Sequence, residues 1–184
     1  VTHAPTHQFL WLAIETTHTD PAQGVILEVA AALAEDDRGG SLEIVHEWHA
    51  VTDEPWFDCA ELDDAVVKMH TDNGLFEASA TATLATVEGL IVDALVQIMG
   101  KSQPTGVVLA GLTAAWTLPW IKAHMPRLAS CLAFGVLDVG SLNRAAKAWH
   151  PEGFKAHWCK ADRAQAKVHA ALASAAHWRQ AVGL

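Results

Sequence analysis

The chain has 184 residues, 51% apolar and 18% charged, a balance that excludes a disordered chain and suffices for one domain over 1–184 with a sizeable core. Its formal net charge is −9 with 12 Lys plus Arg and no basic cluster, so it is expected to have no long nucleic acid as a partner. No apolar run reaches membrane-spanning length without a charge or a breaker, and Val1 to Gln8 lacks the basic and apolar regions of a signal peptide, so a cytoplasmic protein with no membrane partner is expected.

Taken in order, Gln8 to Ile14 is apolar and β-compatible and runs into a Thr/His/Asp/Pro turn, which predicts a strand. Val25 to Leu33 is a second strand, Asp36 to Gly40 a turn cluster, and Leu42 to Val51 alternates as a third strand, giving an antiparallel meander. After a loop at Asp53 to Asp58, Leu62 to His70 reads as a helix. Ser79 to Met99 has helical apolar spacing and stops at Gly100. Thr105 to Ala110 is a buried strand ending at Gly111. Leu118 to His124 begins a helix with Pro119 in its first turn. Ala133 to Leu137 is a short strand, Ser141 to Trp149 a helix, and Lys160 to Trp178 an alanine-rich C-terminal helix. Three antiparallel strands followed by helix–strand alternation make an α/β protein. The three cysteines, Cys59, Cys131 and Cys159, form no zinc pattern and read as buried thiols. Eight tryptophans stand beside 11 histidines and no tyrosine, and most of the tryptophans are expected in the core or at an interface.

Several short segments carry chemistry. Trp11-Leu12-Ala13-Ile14-Glu15-Thr16-Thr17 leads into Asp20-Pro21. Val25-Ile26-Leu27-Glu28-Val29-Ala30 follows, then Met69-His70-Thr71-Asp72-Asn73-Gly74-Leu75. Met125-Pro126-Arg127-Leu128 precedes Leu137-Asp138-Val139-Gly140-Ser141-Leu142 and Trp149-His150-Pro151-Glu152. His157 comes five positions before Asp162. In order and spacing this series resembles the oligoribonuclease branch of the DEDDh 3′–5′ exonucleases, from about Phe9 to Gln180. The resemblance implies an RNase H-like exonuclease fold, a mixed five-stranded sheet flanked by helices.

In that family four carboxylates hold two divalent ions, which activate water and stabilise the leaving oxygen. A histidine takes the water's proton. By the resemblance Glu15 is the glutamate of the first motif, His157 the general base and Asp162 the last metal ligand. The first aspartate is replaced by Ala13. The ungapped interval from Gly111 to Met125 puts the second aspartate at Thr117 and a family glutamine at Trp116. The substrate-holding positions differ as well: a leucine wedge corresponds to Thr19, a base-stacking tryptophan to Ala65, a phosphate-contacting tyrosine to Phe134, and a small or polar residue to Trp158. His18 stands where the family has glycine. Thr17 and His70, in matched segments, complete the expected substrate-binding set.

Glu15, His157 and Asp162 are therefore expected to form a catalytic set in one cleft, with no bound metal and no cofactor. The expected activity is a metal-independent acid–base reaction on a small organic substrate in a homodimer, the cleft walls being apolar through Trp116, Trp158 and Ala65. Two other readings remain: a non-catalytic binder of a nucleotide, small ligand or protein, and a residual 3′–5′ exoribonuclease on very short oligonucleotides.

Overall fold

A computed structural model describes residues 9–36, 42–54, 62, 64–149 and 161–182. Most of the Asp36–Gly40 turn cluster, most of the Asp53–Asp58 loop, Cys59, His157, Trp158 and Cys159 lie outside these residues.

The strand β1 (Phe9–Thr16) is apolar from Phe9 to Ile14 because it is covered on both faces. It pairs antiparallel with β2 (Ile26–Asp36), which pairs antiparallel with β3 (Leu42–Val51). On its other side β1 runs parallel to β4 (Val107–Gly111), which runs parallel to β5 (Leu132–Asp138). The result is a mixed five-stranded sheet in the order β3-β2-β1-β4-β5. Antiparallel neighbours need only turns, whereas the step from β3 to β4 needs a crossover. That crossover carries α1 (Asp64–Asp72) and α2 (Leu84–Met99). The α/β class and the flanked mixed sheet match the expectation.

Side chains alternate across the sheet. Leu10, Leu12 and Ile14 point into one core, with Val29, Ala31 and Leu33 of β2 and with Val87, Ile91 and Leu95 of α2. Each fully buried Ile or Leu there contributes about 1.5–3 kcal/mol. Trp11 and Ala13 point to the opposite face, against Ala164, Val168, Ala171 and Ala175 of α6 (Ala164–Val182). The methyl groups of Ala30, Ala32 and Ala34 on that face let α6 lie close to the strands. Glu15 continues the Trp11–Ala13 row, so its side chain faces α6 and not the larger core.

Three helix starts lie four or more residues from their expected places, α6 among them, which begins at Ala164 and not at Lys160. Residues 79–82 are not helical because Thr81 N–H donates to the Val51 carbonyl (2.9 Å) and Ala82 bridges Thr52, leaving Thr83 to cap α2. The helix α3 (Ala114–His124) starts four residues before Leu118, which puts Pro119 inside it. The start is fixed from another strand: the Asp138 carboxylate of β5 accepts the Ala115 N–H at 3.0 Å. Its other oxygen accepts from Ser141 N–H at 2.7 Å, in the first turn of α5 (Val139–Trp149). One carboxylate thus anchors two helix N-termini. A short α4 (Pro126–Ala129) precedes β5. Cys131 is a buried thiol, with burial pushing its pKa up.

Candidate active site

Where β1 ends, its register to β2 sets Glu15 directly opposite Glu28. Two like charges on adjacent strands repel, and both side chains are buried. The N-terminal end of α6 resolves this with two cations four residues apart. Arg163 binds Glu28 through Nε at 3.0 Å to each oxygen and Nη2 at 2.8 Å. Ala164 N–H donates to the same carboxylate at 3.0 Å, and His49 Nε2 lies 2.6 Å from it. Burial pushes the Glu28 carboxyl up, but these donors outweigh it and hold the pKa below the ordinary value.

Glu15 has fewer partners. Lys167 Nζ donates to its Oε1 at 2.5 Å. Burial dominates here, so the Glu15 pKa is raised despite the lysine, and Glu28 adds to the rise. A carboxyl whose pKa burial has raised is suited to proton transfer. Among the described residues Glu15 and Lys167 line a cleft of about 370 Å³ together with His18, Thr19, Thr113, Trp116 and Arg144.

The turn after β1 is built to hold its shape. His70 of α1 is buried and donates from Nε2 to the Thr16 carbonyl at 2.9 Å. Phe76 packs edge-on against its ring at 5.4 Å. Desolvation, the largest cause, lowers the His70 pKa and keeps the ring neutral. Thr17 is buried and its Oγ1 accepts from Val25 N–H at 2.9 Å, closing the turn. His18 Nδ1 accepts from Asp20 N–H at 2.9 Å. Only glycine fits at position 24, where a Cβ would come 2.7 Å from the His18 Cβ and 2.8 Å from Thr17 Oγ1.

Of the expected site residues, Glu15, His18, Thr19 and Trp116 share this cleft. Thr17 and His70 lie beneath it as supports. Asp162 and Ala65 line an adjoining hollow of about 430 Å³ with Lys68, Asp72 and Asn73, and the two spaces meet at Met69. Asn73 fixes that edge by donating to the Asp162 carbonyl at 2.7 Å. Thr117 is buried in α3, where its hydroxyl donates to the Thr113 carbonyl at 3.0 Å. Phe134 is fully exposed on β5. His157 and Trp158 are outside the described residues. Lys167 and Arg144 were not among the expected residues.

The chain is 31% identical over 154 residues to an oligoribonuclease of Corynebacterium diphtheriae, covering 81% of this chain and 70% of the relative. The chain belongs to the oligoribonuclease family. It is also 28% identical over 180 residues to an oligoribonuclease of Cutibacterium acnes, covering 93% of this chain and 84% of that one. For a Corynebacterium glutamicum oligoribonuclease the identity is 30%, and the chain spans 64% of its length. No family model matches. Among solved structures, E. coli exonuclease I in complex with a 5cy-dT13 oligonucleotide superposes with a TM-score of 0.64 at 15% identity, over 97% of this chain and 42% of that one. The metal-free form of the E. coli exonuclease I–ssDNA complex gives 0.63 at 17% identity, over 94% of this chain and 40% of that one. These similarities confirm the RNase H-like exonuclease fold.

The family overturns the expected partner set, which excluded long nucleic acid and named a small molecule. The relatives are named for oligoribonucleotides, and the structural neighbours hold single-stranded DNA. The error came from a global sum. The net charge of −9 says little about a cleft whose described lining has one carboxylate, Glu15, against two cations, Lys167 and Arg144. Among the described residues no helix is long and apolar enough to cross a membrane.

Proposed function

We propose that the Glu15 cleft receives the end of a very short oligonucleotide and that the chain is a slow 3′–5′ exoribonuclease. The family carries this reading, and the cleft's local charge supports it. The expected small organic substrate draws no support from the relatives and is set aside.

In this reading the chain is a divergent family member with two of the four metal-binding carboxylates replaced. The donors present do not fit a two-metal centre. Ala13 offers a methyl group packed against α6. Thr117 offers a buried neutral hydroxyl in place of a carboxylate, a weak ligand for a hard divalent ion. Glu15 is the one family carboxylate in the cleft, and one of its oxygens carries the Lys167 ammonium. Among the described residues no group of three His, Cys, Asp or Glu could hold a metal. Losing stabilisation of this kind costs about 10²–10³ in rate, hence slow turnover.

The chain's own groups would then act as follows. Trp116, half-exposed at the cleft wall, offers a face on which a base can stack. Arg144 and Lys167 attract the phosphodiester. Water adds to phosphorus, the bond to the 3′-oxygen of the preceding nucleotide breaks, and that oxygen leaves after taking a proton from solvent. Glu15 in its ionised form takes the water's proton. His157, by resemblance, is the second group able to do so, and Asp162 at the adjoining hollow completes the set.

The test is incubation of the protein with a diribonucleotide, with Mn²⁺, with Mg²⁺ or with EDTA, followed by chromatography of the products. Slow release of mononucleotide that drops at least about tenfold in Glu15→Gln is expected. Absence of mononucleotide release under all three conditions would contradict the reading.

A further inference from the structure

We propose that the Lys167 ammonium is the phosphate-binding cation of this cleft and neutralises the terminal phosphodiester of the oligonucleotide directly, a task the resembled family gives to divalent ions. The inference rests on the oligonucleotide reading above and names the group that recognises the substrate.

Four observations carry it. The first is position: Lys167 Nζ lies 2.5 Å from Glu15 Oε1, and the lysine side chain is 29% exposed where the glutamate is 2% exposed. The ammonium therefore stands between a buried carboxylate and the open cleft. The second is donor capacity. An ammonium has three N–H donors, and among the described residues Lys167 has Glu15 as its one side-chain partner. Its remaining donors are available to an anion, while Glu15 holds the side chain in place.

The third observation is what the neighbouring cations are doing. Arg163 is committed to Glu28 through three contacts and does not line the cleft. Arg144 lines it, but donates to Ser141 Oγ at 3.0 Å and is 63% exposed, which places it at the rim. Lys167 is the cation at the floor. The fourth is the chemistry beside it: Ala13, two residues before Glu15 on the same face of β1, has no side-chain oxygen to offer a metal ion. A lysine is a compact point charge suited to phosphate, and here it needs no metal to reach one.

The test is fluorescence anisotropy of a 5′-fluorescein-labelled diribonucleotide in EDTA, across a salt series, on the wild type and on Lys167→Met, Lys167→Arg and Glu15→Gln/Lys167→Met. The double variant replaces the ion pair by a neutral pair, so it stays informative if Lys167→Met alone unfolds. Binding by the wild type in EDTA, weakened at least about tenfold in Lys167→Met or the double variant and retained in Lys167→Arg, is the expected result. The slope of log K against log salt should also become shallower, because salt screens a charge contact, which a merely structural lysine would not produce. Wild-type binding that the neutral variants match, or weaken without a change in slope, overturns the lysine assignment and leaves the oligonucleotide reading standing. Wild-type binding that appears only with Mg²⁺ or Mn²⁺ does the same. No binding under any condition overturns both.

Discussion

Glu28 and Glu15 sit opposite each other on adjacent strands, are equally buried, and face the same end of α6, yet they end in opposite states. Glu28 is surrounded by donors: a guanidinium, a backbone N–H and an imidazole. Its charge is stabilised below the ordinary range, and it has no capacity left for anything else. Glu15 has one ammonium on one oxygen and a cleft beside it, and its pKa is raised. The same residue type on facing strands is held ionised where donors surround it and is pushed toward its neutral form where they do not.

Breaking the Glu28 side should cost most. Arg163→Met leaves a buried carboxylate without its main partner and should destabilise by about 3–5 kcal/mol. Urea denaturation measures it, and a loss no larger than that of Lys167→Met would remove the distinction between the sites. Lys167→Met should cost less, about 1–3 kcal/mol, because Glu15 can escape by taking a proton.

Acid and base should separate the pair further. The folded pKa of Glu28 is depressed, so its contribution to stability is present above the ordinary value of 4.5 and is lost as pH falls through the folded value. Glu15 has the opposite sign. Its raised folded pKa makes its contribution favourable at low pH and lost as pH rises from 4.5 through the folded value. The penalty of Lys167→Met should therefore grow with pH in thermal melts from pH 4.5 to 8, whereas a pH-independent penalty would mean that Glu15 does not titrate in this range.

His70 supplies a smaller effect of known direction. Its lowered pKa means the folded protein resists protonating it, so stability should decline as pH falls below the ordinary value of 6.5. In His70→Gln that part of the decline should disappear from the melting curves. An unchanged profile would mean the ring is not what opposes protonation. At the far wall of the cleft, a Cβ on Gly140 would run into the Leu112 carbonyl oxygen, so Gly140→Ala should cost about 1–3 kcal/mol by denaturation.

The sheet was readable in the sequence because its signals are local. Apolar runs, the alternation of β3 and the turn residues after β1 each lie within one short window. The α3 start was not readable, because the group that caps it, Asp138, is 23 positions from Ala115 in the chain. Lys167 escaped for a similar reason. In an alanine-rich helix it reads as an ordinary solubilising residue, and only packing of α6 on β1 brings it to Glu15, 152 positions away. The one available signal was its spacing from Arg163, which puts two cations on one helical face opposite two glutamates. Ala65 was assigned from a family position, yet it faces the hollow beside Asp162 and not the Glu15 cleft.

Whether the Glu15 cleft receives an oligonucleotide end is tested by a crystal of the protein soaked with a diribonucleotide in EDTA. Density is expected for the phosphodiester at the cleft floor, with an oxygen about 2.7–3.2 Å from Lys167 Nζ and a base against Trp116. A dinucleotide bound elsewhere on the surface, with the Glu15–Lys167 pair untouched, would contradict it.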